Sequence, residues 1–107
     1  MFGIVALVGA FLFNAAAVAR FLPNLAAVAG KAVIAAGLIA ALGGVAYWQA
    51  VGDSRWAVGG ALLAVAVAIG ALGKGNGARI GALAVGDLGI ALFVIAAVTG
   101  YRGQMIF

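Results

Sequence analysis

WAVGGALLAVAVAIGALG (residues 56–73), KGNGAR (74–79) and IGALAVGDLGIALFVIAAVTG (80–100) follow one another without interruption. As helices rising about 1.5 Å per residue, the two outer pieces extend roughly 27 and 32 Å, matching the ~30 Å hydrocarbon core of a bilayer. The six residues between them carry Lys74 and Arg79, two cations in a chain with few charges. This stretch reads as two membrane-type helices joined by a basic, glycine-rich connection.

Composition extends that reading to the whole chain. Of 107 residues, 68% are hydrophobic and 7% charged, and the mean hydropathy is +1.33. A soluble domain carries about 25% charged residues to cover its surface. Here the surface must face lipid or other copies of the chain. The 18 glycines sit inside Ala/Val/Leu/Ile runs, without the Ser, Gln and Pro of disordered tracts. The net charge of +4 is scattered over Arg20, Lys31, Arg55, Lys74, Arg79 and Arg102, which suits interfacial anchors and lipid phosphates. It does not suit direct, sequence-specific nucleic-acid binding. With no Cys and no His, disulfides, zinc sites, thiolate chemistry and histidine catalysis are excluded. No catalytic, cofactor or metal residues are expected, and the chain is read as a non-enzyme.

Working outward, residues 2–18 form a first apolar segment closed by Arg20. No basic residue precedes this run, as a signal peptide would require. Ala27-Val28-Ala29 has the small-x-small look of a cleavage site, but the segment is read as a structural helix. Pro23 breaks the path and Asn24 is the expected N-cap of a second segment, residues 25–49. Counted only from Ala32, that segment still spans roughly 27 Å, and from Leu25 it is longer and tilted, with Lys31 snorkelling to the headgroups. Tyr47 and Trp48 fall where an aromatic belt sits. Gly52-Asp53-Ser54-Arg55 is a tight turn, with Asp53 pairing Arg55 and Trp56 opening the third segment at the same interface. The segments are thus 2–18, 25–49, 56–73 and 80–100, with Tyr101 and Arg102 interfacial before a short tail to Phe107.

One all-α domain over residues 1–107 follows, made of hydrophobic hairpins: four membrane-type helices in an up-down arrangement. Connections one and three carry the cations, so the positive-inside rule places both termini outside the cytoplasm. Helix association in lipid relies on small residues that let backbones approach. Small residues recur four apart at Ala40/Gly44, Gly60/Ala64/Ala68, Ala66/Gly70 and Gly77/Gly81, so Gly44, Gly60, Gly70, Gly77 and Gly81 are the expected packing glycines. Glycine on several helix faces points to homo-oligomers, a filament or docking into a larger complex.

Asp87 is the sharpest candidate for chemistry. A carboxylate inside the fourth segment costs several kcal/mol unless protonated or paired, so it is a candidate proton or cation site. Two alternatives stand beside it: Gly86-Asp87-Leu88-Gly89 marks a helix distortion, or the helix borders an aqueous lumen. Asn14 is expected to hydrogen-bond between helices. Gly73 to Gly77 lacks the Lys-Ser/Thr ending and the strand of a phosphate-binding loop, so glycine there supplies a flexible turn whose cations meet headgroups.

The length and four-segment layout are those of small multidrug resistance transporters, but that family's membrane-embedded Glu has no counterpart here, and Asp87 in the fourth segment does not replace it. Ala32–Gly73, turning at Gly52-Asp53-Ser54-Arg55, and Trp56–Gly100, turning at Lys74–Arg79, each resemble conjugative, type IV secretion pilins: two apolar Gly/Ala/Val-rich helices and a short basic loop. The resemblance implies subunits stored in the cell membrane, then extracted into an extracellular helical filament with bound phospholipid. Arg55, Lys74 and Arg79 would meet lipid headgroups or line the lumen, and the pilus would serve DNA transfer. The expected function is that of a self-assembling structural membrane protein whose partners are lipid and its own copies. The rival readings are a small oligomeric ion- or proton-coupled transporter using Asp87 and an accessory subunit of a membrane complex.

Overall fold

A computed structural model describes residues 2–73 and 75–99. They form four helices and no strand: α1 (Phe2–Ala19), α2 (Ala26–Val51), α3 (Ser54–Leu72) and α4 (Gly75–Thr99). Each helix packs on its neighbours in the order α1–α2–α3–α4, and sparser contacts between α1 and α4 close the ring. The longest axis is 44 Å, comparable with a whole bilayer including headgroups, about 40–45 Å. Helices α2, α3 and α4 are each long and apolar enough to cross a membrane, and Gly3–Ala19 is a shorter apolar helix.

The distribution of side-chain size explains why this bundle belongs in lipid. Its core is largely alanine, including Ala6, Ala10, Ala36, Ala40 and Ala66, and all described buried side chains are apolar. Apart from Leu63, Val33 and Val67, which are buried, the large aliphatics mostly point outward: Leu72 is 83% exposed, Val98 73% and Leu42 71%. Water would reverse that arrangement, because burying Leu and Val is where the hydrophobic effect acts most. In lipid that drive vanishes between helices, and close contact of small residues decides which face turns inward.

Backbone approach is closest where glycine removes the Cβ. A Cβ on Gly9 would lie 2.9 Å from the Ala40 nitrogen, and one on Gly43 2.9 Å from the Ala6 nitrogen, so α1 and α2 touch nearly main chain to main chain. Gly60 faces the Ala41 carbonyl between α2 and α3, while Gly59 and Gly89 face each other's carbonyl oxygens between α3 and α4. The space so opened holds two fully buried rings. Phe13 of α1 sits over Gly37 of α2 and Gly86 of α4, and Phe93 of α4 sits over Gly44 of α2 and Gly59 of α3.

Three expectations about the connections change. Asn24 does not cap α2: Leu22 to Leu25 closes as a turn, with the Leu25 N–H donating to the Leu22 carbonyl at 3.1 Å. Leu25 then becomes the N-cap, in the αR region and without a side-chain bond. The glycine linker is not a six-residue flexible turn, because α4 starts at Gly75 and its first turns use Gly75 to Arg79. Gly75 enters at φ +81°, a conformation open to glycine at little cost. Trp56 does not join a lipid-facing belt. It is 2% exposed, edge-on to Tyr47 with centroids 4.8 Å apart and stacked on Phe93 at 5.1 Å. Tyr47 and Trp56 thus pair at the hairpin tip but turn inward, onto the Phe93 ring. The expectations for Lys74, Tyr101, Arg102 and the tail lie outside the described residues.

Candidate functional site

The cationic end of the bundle gathers the C-terminal ends of α1 and α3 with the N-terminal ends of α2 and α4. A helix end leaves carbonyls without intrahelical partners, and cations are favoured there by the helix dipole. Two arginines take these positions. Arg20 Nη2 donates to the Gly70 carbonyl in the last turn of α3 at 3.3 Å, and Arg79 Nη1 donates to the Arg20 carbonyl just beyond α1 at 3.1 Å. Gly70 gives Arg20 its berth, since a Cβ there would stand 2.8 Å from Nη1. Arg79 is therefore half-buried against protein, whereas Lys31 is exposed and donates no hydrogen bond among the described residues.

At the opposite end the hairpin turn is fixed by short polar contacts. Gly52, at φ +76°, ends α2 and its N–H donates to the Trp48 carbonyl at 2.7 Å. Asp53 caps α3, accepting the Arg55 backbone N–H at 3.0 Å, and pairs with the guanidinium at 2.7 Å. The hydrogen bonds from the Arg55 side chain hold the Asp53 carboxyl below its ordinary value. Arg55 Nη1 also donates to Thr99 Oγ1 at 2.6 Å, and that hydroxyl donates to the Ile95 carbonyl. Arg55 thus ties the start of α3 to the end of α4.

Asp87 stands twelve residues from each end of α4, at its midpoint. The helix is continuous through Gly86-Asp87-Leu88-Gly89, so the expected distortion is not found. Ala82, Gly86, Gly89, Phe93 and Ala96 form the buried face, and Asp87 is exposed on the other side with Ala84, Leu88 and Ala91. It has no hydrogen bond or ion pair among the described residues. Asn14, expected to bond between helices, is half-buried and likewise has no such bond.

Among the packing glycines, Gly44 meets Phe93 and the Trp56 carbonyl, Gly60 the Ala41 carbonyl, and Gly70 the Arg20 side chain. Gly81 is in ordinary contact with Ile69, and Gly77 meets nothing within 4 Å. Sequence reasoning passed over Gly37, Gly59, Gly86 and Gly89, which hold the rings and the α3–α4 contact. Their signal was a spacing of three, four and seven, as in Ala82, Gly86, Gly89 and Phe93, and not four alone. No known family, curated protein or solved structure matches the chain.

Proposed function

We propose that this chain is a non-enzymatic, self-assembling integral membrane protein whose copies meet along the outer face of α4. The observation that carries the reading is Asp87, at mid-height on an apolar helix and pointing away from its own bundle. Left in hydrocarbon, such a group costs about 2.5–3.5 kcal/mol. A hydrogen bond to a second copy relieves that cost, and Ala84 and Ala91 on the same side allow close helix approach. The interior supports the same reading: Phe13, Phe93, Trp56 and Leu63 fill it with apolar atoms, leaving Asp87 off any route through a single bundle. The conjugative-pilus-type subunit in the cell membrane is the most specific form of the proposal.

Cross-linking and sedimentation in detergent and in nanodiscs test it. The wild-type chain is expected to form oligomers, and Asp87→Leu to shift them towards monomers with helix content unchanged. A wild-type chain that stays monomeric at all concentrations overturns the proposal. Sheared extracellular filaments containing the chain and lipid support the pilus form, and oligomers confined to the membrane remove that form while keeping assembly. If Asp87→Asn abolishes proton or cation flux in liposomes, the transporter reading replaces this one.

A further inference from the structure

Away from the two ends of the bundle, the four helices carry two polar side chains, Asn14 and Asp87. The Asp53–Arg55 pair and Thr99 lie at one end, and Arg20, Lys31 and Arg79 at the other. The buried core brings Asn14 and Asp87 to one level. Phe13 of α1 packs over Gly86 of α4, and Asn14 and Asp87 are the next residues along each helix. They therefore stand within roughly one turn of helix of each other in depth.

The two residues also share a seam. Successive helical residues turn by about 100°. On α1, Val5, Gly9 and Ala16 lie to one side of Phe13 and face α2, so Asn14 lies to the other side. On α4, Ala82 and Gly89 lie to one side of Gly86 and face α3, so Asp87 lies to the other. Both flank the line where α1 meets α4, the most sparsely packed of the four helix pairs that close the ring. Asn14 is half-buried there and Asp87 exposed, and neither has a hydrogen bond among the described residues.

Their chemistry is complementary. An Asn side chain offers N–H donors and a carbonyl acceptor, and a carboxyl accepts when ionised and both donates and accepts when protonated. The amide therefore matches either form, whereas two Asp87 carboxyls would need a shared proton. Equal depth adds a symmetry argument. A two-fold axis along the membrane normal relates points at one height, and an isologous interface makes each contact twice. Two copies facing each other across their α1–α4 seams put Asn14 of each beside Asp87 of the other.

We propose that the α1–α4 seam is the contact between copies, closed by two reciprocal Asn14–Asp87 hydrogen bonds. This rests on assembly through the outer face of α4 and names the group that Asp87 meets there. The chain has no cysteine, so introduced cysteines report the contact directly. Full-length Asn14→Cys and Asp87→Cys copies, mixed in nanodiscs and oxidised, should form the mixed disulfide, because one native Asn14–Asp87 pair remains in that dimer. Either variant alone should cross-link far less. In sedimentation, Asn14→Leu should weaken association about tenfold, as Asp87→Leu does, and the double variant no further. The exchange of Asn14→Asp with Asp87→Asn should restore wild-type association. A wild-type chain that stays monomeric overturns both this proposal and the assembly it rests on. Wild-type oligomers that keep their strength in Asn14→Leu, or that give no mixed disulfide, overturn the pairing and leave assembly through α4 standing. Loss of unfolding stability in Asn14→Leu with association unchanged places the bond inside one copy, and overturns the pairing as well.

Discussion

The two long faces of α4 are built on opposite plans. The inner face, Ala82, Gly86, Gly89, Phe93 and Ala96, has one large ring among small residues, and each small residue makes room for a neighbour. The outer face has Ile80, Leu88, Ile95 and Val98 in the open, each at least 48% exposed, with a single carboxyl at mid-height. A residue on the inner face is constrained by shape, because the helices touch backbone to backbone. On the outer face the constraint is solvent, which lipid satisfies for every side chain there except Asp87. The inner face accounts for the bundle, and the outer face holds a group the bundle does not explain.

The largest effect expected from this contrast is on the inner face. Gly89→Val would place a Cβ 2.7 Å from the Gly59 carbonyl, where no side chain can yield, so overpacking should cost about 3 kcal/mol. Leu88→Val, one residue away on the outer face, should stay within about 0.5 kcal/mol. Unfolding in mixed micelles measures both, and equal costs would break the comparison. Next comes Phe93→Ala. Lipid removes most of the transfer contribution, and the cavity left between Gly44 and Gly59 should cost on the order of 2 kcal/mol in the same assay.

Asp87→Leu should leave that unfolding curve unchanged and weaken association by about tenfold, the worth of a hydrogen bond of ~1–2 kcal/mol between helices in lipid. Sedimentation at graded detergent ratios reads this directly. Loss of bundle stability instead would place Asp87 among the inner-face residues.

The smallest effect belongs to the hairpin turn, remote from both faces. Asp53→Ala removes the cap of α3 and should cost about 1 kcal/mol. The folded carboxyl sits below its ordinary value of 3.8 because of the Arg55 side chain. The stability it contributes is therefore fully present above that value and is lost as pH falls through the lower, folded one. Melting of the wild type should drop as pH falls below the ordinary value of 3.8, and Asp53→Ala should flatten that acid limb.

Much of this was legible in particular residues. Gly52-Asp53-Ser54-Arg55 announced its turn, because glycine, an N-capping Asp and a nearby Arg act within a few residues of each other. The α2–α3 aromatic pair followed from that turn. The direction of Trp56 was not legible, since a Trp at a helix end fits a lipid interface as well as a place between buried rings, and its partners Tyr47 and Phe93 lie on two other helices. Arg20 and Arg79 read as headgroup anchors because the carbonyls they reach, Gly70 and Arg20 itself, are 50 and 59 positions away. The start of α4 was misplaced for a related reason. Glycine is a poor helix former, and nothing in KGNGAR shows that packing against the end of α3 makes up the loss.

By itself the sequence determined the solvent and the number and order of the helices, since hydropathy, span length and turn chemistry are local quantities. It also set the cationic end apart from the aromatic one. Only the tertiary structure decided which side of each helix is inside, that Phe13 and Phe93 fill the centre, that two arginines serve helix ends, and that Asp87 faces outward. In helices apolar around their whole circumference hydropathy carries no direction, and the inward face is chosen by shape, glycine against ring and backbone against backbone, between residues far apart in the chain.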